Sequence, residues 1–248
     1  MRELIFLDTE ATGNEPSKDR LCQVCYKTST GTKVGYFKPP VPISVKAMSI
    51  THITNKMVED KEPFALSAMK KELESLLKDG VMVAHTALFD IAMLKNEGVE
   101  VPNFIDTLRV ARYLDNENKI PEYNLQFLRY FLELEIPGTA HDAEGDVNVL
   151  EGLFKRLYTK LLASTPTSLP LAKGEVPKAE GVIDKMIEIS NRPTLFKNFI
   201  FGKYKGKPIG EIVAADRRYV EWLLAQKLGN DEADEDWIFT LKSYLQKN

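Results

Sequence analysis

The sequence predicts an α/β fold, a mixed and mostly parallel sheet with helices on its faces, followed by a small α+β domain. Three observations carry this reading. Short, wholly apolar runs alternate with helical periodicities over the first ~165 residues. A turn signal near the start separates two β-type runs. Ser, Thr, Pro and Gly then break every periodicity between Ala163 and Gly181.

The elements follow in order. Leu4-Ile5-Phe6-Leu7 is a short continuous apolar run, the mark of a strand buried on both faces. Leu21 to Thr28 and Lys33 to Phe37 flank Ser29-Thr30-Gly31-Thr32 and read as a hairpin. Leu66, Met69, Leu73 and Leu76 step by three and four behind Pro63, which suits a first helical position. Val81 to Ala84 is a second buried strand, and Phe104-Ile105 a weaker one. Val147, Leu150, Phe154, Leu157 and Leu161 repeat the helical spacing, with Asp142 as candidate N-cap. Alternation of this kind implies helices on the faces of a mixed sheet. The chain divides into a domain over residues 1–163, a linker over 164–181 and a small domain over 182–248. The last holds a helix from Val182 to Ser190, a hairpin at Gly202 and Gly206, and helices around Tyr219 to Gln226 and Trp237 to Gln246.

Composition narrows the class. With 44% hydrophobic and 28% charged residues the chain is ordinary globular protein, which excludes disorder, collagen and coiled coil. Lys+Arg 33 against Asp+Glu 36 gives a formal charge of −3, so binding to nucleic acid must be local. The Leu4–Leu7 run, stopped by Asp8, is too short for a signal-peptide core or a membrane span. Cys22 and Cys25 make no disulfide scaffold, and a reducing cytoplasm is expected. A zinc or redox role for Cys22-x-x-Cys25 is rejected, since i and i+3 face opposite ways in a strand and no second ligand pair follows.

The chemistry lies in carboxylates. Asp8 and Glu10, two residues apart at the end of the first strand, are expected to project to one face beyond its C-terminal edge. Carboxylates so close repel unless a cation or a shared proton holds them, and oxygen-only ligands favour a hard divalent ion. Alone, the pair reads as a turn cap and a solvated residue. His85 to Asp90, opening a helix after the second buried strand, and His141 to Asp146, entering the long helix, change that. Residues i and i+5 fall roughly 140° apart on a helix. His141 is therefore expected on the preceding loop, free to reach a site that Asp146 lines. Asp106 is expected to cap a helix, and His85 to orient the loop before Asp90.

These stretches together resemble the three motifs of the 3′–5′ exonucleases with four acidic residues and a histidine. That superfamily includes the proofreading epsilon subunit, ribonuclease T and oligoribonuclease. Ser49-Ile50-Thr51-His52-Ile53-Thr54 and Asp106-Thr107-Leu108 are similar to further family segments, so the resemblance covers about residues 3 to 162. It implies a ribonuclease H-like fold with a five-stranded mixed sheet. It also implies that Asp8, Glu10, Asp90 and Asp146 hold two divalent cations, Mg²⁺ or Mn²⁺, and that His141 is the catalytic base. The backbone at Thr9 and Ala11 would then lie along the terminal nucleoside, with His52 packing on it. The family usually has Thr where this chain has Ala11 and Asn where it has Thr86; neither position supplies a metal ligand.

In the tail, Lys197, Lys203, Lys205 and Lys207 interleave with Phe199, Phe201 and Tyr204, a pattern that suits phosphates and exposed bases. Lys203, Lys205 and Lys207 are the candidate nucleic-acid contacts; a folded hairpin with a solvated edge is an equal reading. Roughly residues 195 to 226 resemble the small C-terminal domain of exodeoxyribonuclease X-like proteins. The expectation is a metal-dependent 3′–5′ exodeoxyribonuclease acting on DNA 3′ ends in DNA repair, with no membrane association. The alternatives are a proofreading or RNA-trimming exonuclease and a nucleic-acid-binding module with a dead site.

Overall fold

The computed structural model describes residues 2–115, 119–136, 143–164, 178–229 and 235–246. It separates into two units, residues 1–114 with 123–190, and residues 115–122 with 191–248.

In the first unit, β1 (Leu4–Ala11), β2 (Leu21–Thr28) and β3 (Gly31–Tyr36) form an antiparallel meander. The expected four-residue turn narrows to two, because Thr28 pairs with Gly31. Two short helices, α1 (Val45–Thr51) and α2 (Asn55–Val58), precede a 3-10 turn (Phe64–Leu66) and α3 (Ala68–Asp79). Pro63 opens the 3-10 turn rather than the helix. Ser67 is the N-cap of α3, its hydroxyl accepting the Lys70 N–H at 3.1 Å. That shift moves the buried stripe to Leu73 and Leu77, with Met69 and Leu76 at its edge and Leu66 exposed.

The chain continues through β4 (Val81–Ala84), α4 (Ala87–Asn96), β5 (Phe104–Asp106), α5 (Thr107–Leu114), α6 (Leu125–Phe131), α7 (Ala143–Ser164) and α8 (Lys178–Ser190). The sheet order is β3-β2-β1-β4-β5, with β4 parallel to both its neighbours. Parallel pairing requires crossovers, and α3 and α4 supply them. Alternation along β1 serves both faces. Ile5, Leu7 and Ala11 join the cluster that holds Leu73 and Leu77 of α3 and Met93 and Leu94 of α4. Phe6 points the other way, edge-on to Phe154 of α7 at 5.4 Å. All five residues of the periodicity read on α7, from Val147 to Leu161, are buried.

One boundary moves. The helix expected to begin the small domain is α8, and it packs on β5, α5 and α7 of the first unit. Ser190 fastens it, its hydroxyl accepting the Asp106 N–H at 2.8 Å while its carbonyl accepts from Arg109 at 2.7 Å. The division therefore falls after Ser190, not at 182. Most of the expected linker lies outside the described residues, as does the expected N-cap Asp142.

The second unit carries α9 (Ile209–Ala215), α10 (Arg217–Leu228) and α11 (Glu235–Gln246) beside a hairpin whose β character is one bridge, Asn198 to Pro208. Gly202 and Gly206, with φ of 71° and 83°, take the left-handed turns the hairpin needs. A Cβ on Gly202 would also stand 2.8 Å from the Tyr219 hydroxyl. Phe199 is 1% exposed and stacks with Phe196 on Trp237. The Phe199 ring, expected to offer a face to bases, is core instead. Among the described residues no helix is long and apolar enough to cross a membrane.

Candidate active site

Asp8 and Glu10 stand within β1, which runs on to Ala11; what ends early is its pairing with β4, at Phe6. Sharing a side of the strand with Phe6, both carboxylates face α7. They pair across β2 with Cys25 and Gln23. Ala11 pairs with Leu21, so Cys22 is an extra residue, a β-bulge beside Glu10. Cys22 packs with Ile43, Ala47, Ile53 and Val58, and Cys25 is buried in the sheet; no disulfide joins them.

Asp90 comes from the first turn of α4, where the chain leaves β4 at the open edge of β1. Three contacts hold that turn. The Thr9 hydroxyl donates to Asp90 Oδ1 at 2.7 Å. The Asp106 carboxylate accepts N–H bonds from Thr86 and Leu108, both at 3.0 Å, and so ties the starts of α4 and α5 together. His85 bonds the Thr107 hydroxyl at 2.9 Å and the Tyr123 carbonyl at 2.7 Å through its two ring nitrogens. Its desolvation pushes the imidazole down to about 4, so it is neutral and acts on the loop.

Thr86 itself has φ 66° and ψ 43°, the left-handed region, with an exposed side chain that caps nothing. A β-branched residue is strained there, while Asn tolerates it. Replacing Thr86 with Asn is therefore expected to raise stability by roughly 1 kcal/mol, visible as a higher denaturant midpoint at unchanged slope. A lower midpoint would show that the strain reading is wrong.

Asp146 lies in the first turn of α7 and accepts a hydrogen bond from the Gln126 side-chain amide. The electrostatics show the gathering of the four acids. Desolvation, then the charges of Asp90, Glu10 and Asp146, raise Asp8 well above the usual carboxylate range. Glu10 is pushed up to about 7 by desolvation and by Asp146. Asp90 is also pushed up to about 7, by desolvation first, against the lowering effect of the Thr9 bond. Among the described residues no three of these side chains are drawn into a ready coordination shell. The donor set fits a hard divalent ion, being all carboxylate oxygen and electrostatically starved of positive charge.

The other expected site residues fall elsewhere. His141 lies outside the described residues. His52 is exposed at the C-cap of α1, in the left-handed region, with its N–H on the Met48 carbonyl. The Thr9 side chain is committed to Asp90, and Thr9 and Ala11 are both buried. Lys203, Lys205 and Lys207 are all exposed, and Lys203 pairs with Asp216 at 3.2 Å and lies 4.7 Å from the Tyr204 ring. Sequence reasoning missed Gln126, the Thr9 hydroxyl and the grip of Asp106 on Thr86. For Gln126 a signal existed, since Asn124 caps its helix by accepting the Phe127 N–H at 2.8 Å.

A 3-2-1-4-5 mixed sheet that brings four carboxylates together from β1, α4 and α7 is the architecture of ribonuclease H-like nucleases. The model of the family described as "Exonuclease" matches residues 5–154, and that of the "Exodeoxyribonuclease X-like C-terminal" domain matches residues 199–227. The chain belongs to the exonuclease family and carries the exodeoxyribonuclease X-like C-terminal domain; it is a 3′–5′ exonuclease. Similar proteins include exodeoxyribonuclease 10 of Escherichia coli K12, 28% identical over 211 residues, which span 84% of this chain and 82% of that one. A PolC-type DNA polymerase III of Thermotoga maritima is 30% identical over 191 residues, 73% of this chain but 13% of the polymerase. Among solved structures, exonuclease X in complex with 5′ overhanging duplex DNA superposes with a TM-score of 0.55 at 23% identity, covering 77% of this chain and all (100%) of that one. The zinc-bound complex of E. coli ExoI with single-stranded DNA gives 0.54 at 22% identity, over 66% of this chain and 43% of that one. Enzymes of this family work with divalent metal ions.

Proposed function

We propose that this chain is a metal-dependent 3′–5′ exodeoxyribonuclease that releases 5′-mononucleotides from DNA 3′ ends, in the cytoplasm and in the service of DNA repair. The observation that carries the reading is the placing of Asp8, Glu10 and Asp90 where burial and neighbouring carboxylates raise all three, with the Asp146 charge acting on Asp8 and Glu10. Asp8, Glu10, Asp90 and Asp146 would hold two divalent cations, Mg²⁺ or Mn²⁺. Bound there, such ions neutralise the scissile phosphate and acidify an attacking water. The chain's own residues do the rest. The Thr9 hydroxyl and the Gln126 amide orient Asp90 and Asp146. His141 accepts the proton that the water loses. The backbone at Thr9 and Ala11, with His52, receives the terminal nucleotide, and Lys203, Lys205 and Lys207 are the candidate contacts to nucleic-acid phosphates. DNA as substrate is supported by the exodeoxyribonuclease relative and by the DNA-bound neighbours.

The test compares 5′- and 3′-labelled single-stranded DNA, duplex DNA and RNA, each with Mg²⁺, Mn²⁺ or a chelator. Stepwise loss from DNA 3′ ends, stopped by the chelator, is expected. Faster degradation of RNA would turn the reading to RNA trimming. No product, together with no metal binding in a titration, would leave only a binding module.

A further inference from the structure

Between Leu195 and Gly229 the chain holds seven Lys and Arg against three Asp and Glu, a local excess of four positive charges in a chain of formal charge −3. Two of those acids are already engaged, Asp216 by Lys203 and the Tyr204 hydroxyl, and Glu221 by Arg217 at 2.8 Å. Within this basic segment sits an unusual side chain. The sequence has two tryptophans. Trp237 is 1% exposed and belongs to the core, whereas Trp222 on α10 is 55% exposed.

Trp222 is not loose. Its ring lies 5.7 Å from that of Tyr219 at 36°, and Tyr219 packs edge-on against Tyr204 at 4.9 Å and Phe199 at 6.0 Å. An aromatic wall thus runs from the core outward and ends in an exposed indole. Lys203 Nζ stands 5.9 Å from the Tyr219 ring, and exposed Arg218 lies one helical turn before Trp222, on the same face of α10. An indole with a fixed backing loses little conformational freedom when a second ring stacks on it, and neighbouring cations select a polyanion. Base faces are available for stacking only where a strand is unpaired.

We infer that Trp222, with Arg218 one turn before it and Lys203 against the adjoining Tyr219 ring, is a stacking platform for single-stranded DNA, remote in sequence from the acidic residues. The inference rests on the proposed DNA substrate. The probe is a twenty-residue oligothymidylate, titrated into the full chain in chelator while tryptophan emission is followed. Because Trp237 is enclosed, quenching on binding reports Trp222. Trp222→Phe is expected to lose the quenching, Trp222→Ala to weaken binding by about 5- to 150-fold, and Arg218→Gln to lower the slope of log K against log[salt] by about 0.7. Trp237 emission shows whether each variant is folded, and the Phe variant serves if the Ala variant is not. Oligothymidylate that fails to bind, binding without quenching, or parental affinity in folded Trp222→Ala overturns the platform. DNA degradation by a parent that shows no quenching retires the platform and leaves the exonuclease reading standing; quenching in a protein that leaves DNA intact does the reverse.

Discussion

Asp8→Ala is expected to reduce hydrolysis of DNA by at least about 10³-fold, or roughly 4 kcal/mol of transition-state stabilisation, while making the metal-free protein more stable. The two effects share one cause. Asp8 is desolvated and faces Asp90, Glu10 and Asp146, so its ionised form is disfavoured in the folded state and its carboxyl is raised well above its ordinary range. A carboxyl raised on folding binds protons more tightly in the native than in the unfolded chain. Its penalty is therefore absent below the unfolded pKa and grows as pH rises toward the folded one. Removing Asp8 should raise the melting temperature in chelator little at pH 4 and increasingly above it. Glu10 and Asp90, both pushed up to about 7, lie under the same linkage, so the gain from Asp8→Ala includes their relief. Saturating Mn²⁺ should stabilise the parent and have much less effect on the variant. The isosteric Asp8→Asn separates charge from shape. Activity of more than a few per cent in Mn²⁺, or a loss of stability at pH 8 in both variants, would show that Asp8 does not belong to a repelling, ion-holding cluster.

Much of this site is legible in the sequence, for a simple reason. Asp8 and Glu10 interrupt an apolar run at the strand period, and a period-2 pattern fixes a face without knowledge of the neighbours. Strands β1, β2, β4 and β5 are likewise visible as apolar runs, because a strand covered by helices has no polar alternation to hide it. What escaped depends on contacts distant in the chain. Nothing near Thr86 announces that Asp106, 20 residues on, will accept its N–H and hold it in the left-handed region. Short helices escaped too. α1, α2, α6 and α9 have between four and seven residues, too few for a helical period to repeat. Helix α8 was visible as a helix, yet its place on β5 rests on Ser190 and Arg109, which composition does not mark. In the tail the aromatic spacing does not by itself say which rings are covered. Phe199 satisfies a small hydrophobic core, while Trp222, outside the lysine run, is the ring left in solvent.

His141→Ala is expected to slow hydrolysis by about 10²–10⁴-fold, the span usual for a lost general base. Once cations hold Asp8, Glu10, Asp90 and Asp146, their oxygens are engaged, and a carboxylate bound to a divalent ion is a poor proton acceptor. His85 cannot substitute, since both its nitrogens are bonded and burial keeps it at about 4. In the sequence His141 stands two residues before α7, whose first turn carries Asp146. Histidine is the side chain whose ordinary pKa, about 6.5, suits a proton acceptor at neutral pH. The parent's rate should therefore fall on the acid limb, and His141→Ala should flatten that limb while lowering the plateau. Metal binding should survive, so the shift in melting temperature with Mn²⁺ ought to match the parent's. Glu144→Ala, an exposed position in the first turn of α7, is the control expected to leave both the plateau and the limb in place. An acid limb that persists in His141→Ala would assign the proton to another group, and a lost Mn²⁺ shift would make His141 a ligand of the ion rather than a base.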